Sequence, residues 1–511
     1  MSDAKRRKMR RAVCIAMQVA LGQLGCSNAE RHDAGPGPTA GGGLPATGGQ
    51  IATSGAESGG SMAAGNATGG SAAGIETLGG GSSVTGGATS SGGSAAAGAA
   101  TAGAGAGAGA SAGSGAGGTS GGVPGAGGDE PGGSDGASAG SSGDDRVLDP
   151  TSLAVRLANA VIARWPDPND IGGSSAWDYN HGIVLRGIEQ VYRHTSDARY
   201  LAYIQKYADR YVSASGVVSI PAAHSFDNIE PSVLLPFLFE QTGLARYRTG
   251  ADQIRARYDS IPRNADRGFW HKQTYPNQMW LDSIYMGQPF LMRYGKVFGT
   301  CGAFCSDTVV EQLTLITAHV RDPATGLPYH AWDDSPAPKA SWANAQTGRS
   351  SVVWGRAVGW YAMALVDLLQ DLPASHTGRA ALLSYLVDLA AALKTTQDPT
   401  SGLWFQVLDE GAKSDDWLET SSSGMFVYAL KVATDLGYVD PSYMSVANDG
   451  WRGLTAKITS DAQGVPSITG AVHGMVVQND YAGYIAQLPT LSNSPHGLCA
   501  ALLAASEMEA H

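Results

Sequence analysis

Apolar residues recur at helical spacing through the C-terminal two-thirds of the chain, as in "RAVGWYAMALVDLL" (356–369) and "ALLSYLVDLAAAL" (381–393). Side chains three and four apart share a face, so each stretch predicts a helix packed against neighbours. Between such stretches five short segments resemble one another: "SGVVSI" (215–220), "DRGFWHK" (266–272), "DPATGLPYHAWDD" (322–334), "DPTSGLWFQVLDE" (398–410) and "DAQGVPSITG" (461–470). Each sets a glycine ahead of apolar or aromatic residues. Gly216, Gly268, Gly326, Gly402 and Gly464 lie 52, 58, 76 and 62 residues apart, which suits two helices and their loops.

Punctuation agrees, with Pro231 at a first turn, Gly243 after "LFEQT" and Pro373 after "DLLQDL". An earlier pair, "TSLAVRLANAVIARW" and "YNHGIVLRGIEQVYRHT", brings the count of helical hairpins to six. The prediction is an all-α, closed (α/α)6 barrel. An open solenoid would also stack hairpins, but irregular loops rich in Trp, Tyr and His at one end favour a toroid with a loop-lined pocket.

Composition divides the chain before the barrel. Residues 27–147 are dominated by Gly, Ala, Ser and Thr and contain no aromatic residue. Such a stretch buries too little apolar surface to offset its ordering entropy, so it reads as a disordered linker, with residues 148–511 as one folded domain. Ahead of it, "KRRKMRR" and "AVCIAMQVALGQLGC" (residues 5–26) form a basic and then an apolar stretch too short to span a membrane, the pattern of an export signal. Cys26 sits where a lipoprotein signal carries its lipidated cysteine. The expectation is an exported protein tethered to the bacterial cell envelope, with simple secretion as the other outcome. The net charge of −11 argues against nucleic acid as a partner. "CGAFC" offers Cys301 and Cys305 as a small disulfide or two free thiols, and no second Cys/His pair at ligand spacing makes it a metal site.

Candidate chemistry gathers in the loops and at helix starts. Between Gln278 and Met286 the chain reads like a buried helix with Asp282 in an apolar row beside Met279, Tyr285 and Met286. An unpaired buried carboxylate costs several kcal/mol, so Asp282 requires a partner or a raised pKa, as a general acid would have. Pro289 removes an amide and is expected to kink or end that helix. Arg356 and Trp360 lie four apart on one face, where a guanidinium fork suits a substrate carboxylate. His271, His330 and Gln406 occupy equivalent places in the repeat and are expected to project toward one end. Asp227 is a pocket residue or a helix cap. The eleven tryptophans suit sugar rings as well as a core.

The stretches "GFWHK…YPNQMWLDSIYMGQPF", "HAWDDS…ASWANAQTGRSSVVWGRAVGWYAMALVDLL" and "GLWFQVLDE…WLETSSSGMFVYAL" resemble glycoside hydrolase family 105, the unsaturated rhamnogalacturonyl hydrolases, over residues 150–511. The resemblance implies an (α/α)6 barrel that uses no metal or other cofactor. Its substrates are pectin-derived oligosaccharides ending in a 4,5-unsaturated galacturonate, commonly linked to rhamnose. It puts the general acid/base on Asp282 and the pocket lining on Asp227, His271, His330, Trp354, Arg356 and Trp360. The related family 88 glucuronyl hydrolases, acting on glycosaminoglycan-type fragments, and a non-catalytic surface sugar-binding lipoprotein are the alternatives.

Overall fold

A computed structural model describes residues 146–511 apart from Pro338 and Thr490. The expected export signal, the Cys26 anchor and most of the linker lie outside the described residues. Twelve main helices follow in order: α1 (Leu153–Arg164), α2 (Tyr179–Thr195), α3 (Ala198–Tyr211), α4 (Leu234–Thr242), α5 (Ala245–Arg257), α6 (Leu281–Phe298), α7 (Phe304–Val320), α8 (Gly355–Asp371), α9 (Arg379–Thr396), α10 (Thr420–Asp435), α11 (Tyr443–Ala456) and α12 (Pro495–Glu509). The even-numbered helices form an inner ring in the order α2, α4, α6, α8, α10, α12, and α12 packs back on α2 to close it. Odd-numbered helices wrap the outside, so the expected (α/α)6 barrel is the observed fold. Between the short α4 and its neighbours the ring is filled partly by the 3-10 turn Glu230–Val233.

The repeat is a recurring turn. After each of α3, α5, α7, α9 and α11 the chain reverses through one tight loop. In the third and fourth copies Gly326 N–H donates to Asp322 O and Gly402 N–H to Asp398 O, both at 2.8 Å, while Leu327 O and Leu403 O accept from Asp322 and Asp398 N–H at 2.9 Å. Gly326 and Gly402 have φ of +77° and +75°, which a side chain strains to adopt. In the second copy the positive φ falls on Arg267 (+73°), one residue before Gly268. Each turn carries the chain from the foot of an outer helix to the start of an inner one.

The expected start of α6, and an end at Pro289, are corrected. Gln278–Trp280 is a strand, β1, paired antiparallel with β2 (Ala331–Asp333) in the register Met279↔Trp332, so the helix starts at Leu281. The pairing takes backbone groups that a helix would have used. The helix also runs on through Pro289 to Phe298. A smaller ribbon joins β3 (Ile458–Ser460) to β4 (Pro466–Ile468). Cys301 and Cys305 form a disulfide, resolving the choice left by the sequence, and Cys499 is a buried free thiol. The small residues of α8 do permit close packing: a Cβ on Gly359 would lie 2.6 Å from Met425 Sδ of α10.

The two ends of the described chain are stitched together. Val147 N–H donates to His511 O at 3.0 Å, His511 N–H donates back at 3.1 Å, and Leu148 N–H donates to His194 O. Arg146 Nη2 reaches the buried Glu507 Oε2 at 2.6 Å. Residues 146–148 thus belong to the barrel. Removing residues 1–145 is expected to leave the melting temperature unchanged. Removing residues 1–148 forfeits the burial of Leu148 and breaks the Glu507 pair, roughly 3 kcal/mol, and is expected to lower Tm by about 5 °C. Thermal melts of the two truncations check this, and equal melting temperatures would contradict it.

Along the barrel axis lie charges that the pattern of apolar residues hid. Arg186 Nη2 pairs with Asp367 at 2.7 Å and its guanidinium lies over Tyr285. Glu230 is 2 % exposed, and neither carboxylate oxygen meets a hydrogen-bond partner among the described residues. Burial pushes its pKa up to about 8, with Arg186 opposing and Asp178 adding to the rise. A carboxyl whose pKa is raised on folding contributes stability below its unfolded pKa and loses it as pH rises toward the folded value. The stability of the barrel is therefore expected to fall between about pH 4.5 and 8 by roughly 2–4 kcal/mol. Glu230→Gln is expected to abolish that decline, its Tm advantage over wild type growing from nil at pH 4.5 to a plateau above pH 8. A pH-independent difference between the two would contradict the assignment.

Candidate active site

Because every inner helix is entered from the same direction, their N-terminal turns meet at one end of the barrel. Three of them place a chemical group at the second helical residue: Asp282 in α6, Arg356 in α8 and His496 in α12. Asp178 caps α2 by accepting from Asn180 N–H, and Glu419 caps α10 by accepting from Ser422 N–H at 2.6 Å. Helix N-termini present unpaired N–H groups and partial positive charge, which accounts for the acids at these positions.

Asp282 has its partner. His330, wholly buried, is hydrogen-bonded through Nε2 to Asp282 Oδ2 at 3.0 Å, while the Asp282 side chain keeps 15 % of its surface open. Burial alone would raise the carboxyl, but His330 first, and His271 after it, carry it below the ordinary carboxylate value. This corrects the expectation of an apolar row holding Asp282 protonated. The helix start and the imidazole, neither readable from the row itself, outweigh the apolar neighbours.

His271 stands on the other side. Its Nδ1 is 2.9 Å from Ser283 Oγ, its ring stacks on Trp280 at 4.3 Å, and its Nε2 is 3.9 Å from Asp227 Oδ1. Burial, then Lys272, keeps His271 well below the usual imidazole pKa. Asp227 does not cap a helix. It sits in the turn Phe226–Asn228 with Oδ2 2.5 Å from Lys272 Nζ, and burial pushes its carboxyl up against that lysine. His271, His330 and Gln406 do reach the same end, where the Gln406 amide holds Tyr484 O at 3.1 Å.

Arg356 is arranged otherwise than a free fork aimed at a ligand. Nη1 donates to Val472 O at 2.6 Å and to Ser421 Oγ at 3.2 Å, and Nη2 donates to His473 O. Two of its N–H groups thus hold a loop across the mouth and a third bonds Ser421 of α10, while Glu419 grips the same loop by accepting from Val472 N–H at 3.0 Å. The charge remains in the site, wholly buried and 4.8 Å from the Trp354 ring. Trp354 lies 4.8 Å from His330, and Trp360 is deeper, stacked on Tyr285 at 5.1 Å. Trp177 and Trp404 are core residues, with Trp177 stacked on Tyr207 and the Trp404 indole donating to Leu393 O.

Sequence reasoning missed His496, Glu419 and Tyr484. His496 Nε2 lies 3.2 Å from Tyr179 Oη, and burial keeps that imidazole well below its usual pKa. Its place as the second residue of an inner helix, shared with Asp282 and Arg356, was the available signal. Among the described residues no group of three or more His, Cys, Asp or Glu side chains is placed to hold a metal ion, and no helix is long and apolar enough to cross a membrane.

Comparison with known proteins adds the chemistry's class. The family model described as Glycosyl Hydrolase Family 88 matches residues 153–511. A solved glycoside hydrolase of family 105 from C. acetobutylicum is 35 % identical, with a TM-score of 0.66 over 70 % of this chain and 99 % of that one. Protein Atu3128 of Agrobacterium fabrum is 37 % identical over 193 residues, 37 % of this chain and 80 % of the relative. The unsaturated rhamnogalacturonyl hydrolase YesR of Bacillus subtilis is 28 % identical over 264 residues, covering 50 % of this chain and 70 % of YesR. A family match over residues 153–511, on a barrel whose mouth carries a histidine-held carboxylate, leaves one conclusion: the chain belongs to the family 88 and family 105 glycoside hydrolases.

Proposed function

We propose that the enzyme removes a 4,5-unsaturated galacturonate from the non-reducing end of pectin-derived oligosaccharides. The observation that carries this is the acid Asp282 in the first turn of an inner helix, hydrogen-bonded to His330 in a mouth that also holds the buried Arg356. A glycosidase that displaces its leaving group directly needs two carboxylates across the bond. A vinyl ether needs only one group that gives a proton and takes one back. Asp282 protonates C4, positive charge develops at C5 and the ring oxygen, and water adds at C5 as Asp282 recovers a proton. The hemiketal so formed opens and the next sugar leaves.

The surroundings favour an acidic sugar. Arg356 and Lys272 place positive charge on two sides of the mouth, and converging helix N-termini add to it. That field attracts the uronate carboxylate even though much of the Arg356 fork is engaged by the loop. Anion binding beside Asp282 also raises its pKa, countering the effect of His330 and readying the acid only when substrate is present. Similarity to YesR favours galacturonyl-rhamnose as the disaccharide.

The test is a panel of unsaturated disaccharides followed by loss of the enol-ether ultraviolet absorbance. Galacturonyl-rhamnose is expected to turn over fastest, and a preference for a glucuronyl-hexosamine substrate would replace this reading with the glycosaminoglycan one. In the same assay Asp282→Asn is expected to lower kcat by roughly 10²–10⁴-fold with the melting temperature retained. Near-normal turnover by that variant would remove Asp282 from the chemistry.

A further inference from the structure

Behind the Asp282 and His330 pair stands a residue that no motif marks. Tyr484 lies on the short helix Tyr481–Ile485, fully buried, with Oη 2.7 Å from His330 Nδ1. The same oxygen accepts the backbone N–H of Gln478 at 3.3 Å. A phenol has one proton to give, and Gln478 N–H is itself a donor, so among the described residues the Tyr484 proton has only His330 Nδ1 to bond. An Nδ1 that accepts carries no proton. The ring proton then sits on Nε2, where it faces Asp282 Oδ2.

Tyr484 is held in place independently of that bond. Gln406 Nε2 donates to its carbonyl at 3.1 Å, and its ring packs 5.9 Å from both His330 and Trp354. We propose that Tyr484 is a positioning residue for the proton transfer: it keeps His330 neutral with its proton on Nε2, so that Asp282 is steadied by a hydrogen bond and not by a full imidazolium charge. An adjacent imidazolium would hold the carboxylate ionised and deprive it of the proton that must reach carbon. The inference rests on the reading that Asp282 is the acid.

The other charges around the pair come from every side of the mouth. His271 faces it from the loop before β1, and Asp227 with Lys272 from beyond His271. Arg356 with Glu419 faces it from α8 and α10, and Tyr179 with Asp178 and His496 from the starts of α2 and α12. None of these bonds to Tyr484, so removing its hydroxyl leaves their charges in place.

The experiment is the pH dependence of kcat for full-length wild type and Tyr484→Phe on unsaturated galacturonyl-rhamnose. With Nδ1 free to take a proton, the alkaline limb of kcat is expected to move about one unit to lower pH, with kcat at the optimum down roughly tenfold. KM is expected to stay within about twofold. Superimposable profiles would overturn the proposal, as would a loss of kcat equal at all pH values, the mark of a merely structural role. The ¹⁵N resonances of the wild-type His330 ring, assigned by their loss in His330→Gln, provide a readout independent of turnover and of whether Tyr484→Phe folds. An unprotonated Nδ1 at pH 7 supports the assignment, and a protonated one overturns it. A wild type inactive on every unsaturated disaccharide would sink the functional reading while leaving this tautomer result to be decided on its own.

Discussion

Each hairpin of this barrel runs outside first and inside second, and that order constrains everything at the mouth. Six inner helices entered from the same end must run parallel, so their N-terminal turns, each with unpaired N–H groups and partial positive charge, converge on one small area. Such convergence is unfavourable without anionic groups to meet it. Asp178, Glu419 and Asp282 answer part of that demand, and an acidic sugar answers more. The chemistry thus sits where the fold concentrates its positive field.

The ring must also be sealed by loops from the last third of the chain. Arg356 and Glu419, on adjacent inner helices, take the carbonyl and the N–H of Val472 respectively. Gln406 holds the next part of the loop through Tyr484 O and lies 3.4 Å from Met475 Sδ. A residue that would suit ligand binding is thereby also a structural tie. The same economy links the loop to the acid, since Gln478, Tyr484, His330 and Asp282 form one hydrogen-bonded line.

The architecture was legible because its signals are local. Helical periodicity and the five glycine turns each occupy a short window, and Gly326 and Gly402 have the positive φ that explains why glycine recurs there. Asp282 and His330 were legible as unusual residues, but not as a pair, since 48 positions separate them and β1 with β2 brings them together. The start of α6 was misplaced because "QMW" is apolar enough for either element, and strand pairing with a distant segment decided it. Tyr484 carries no local mark at all, and His496 only its place as the second residue of an inner helix. Glu230 was invisible for a related reason: a lone acid beside Pro231 reads as a first-turn helix residue, and only the closed ring shows it stranded in the axis.

The central claim is that bond cleavage here begins at carbon, with Asp282 protonating C4 of an unsaturated uronate. The most direct measurement follows one reaction in D₂O by two signals, the ultraviolet absorbance of the C4=C5 bond and the appearance of free aglycone sugar, with mass analysis of the released uronate. The account predicts that absorbance is lost no later than the aglycone appears, mole for mole, with carbon-bound deuterium at C4. Aglycone released while the double bond persists would contradict it and return the enzyme to direct displacement at the glycosidic carbon.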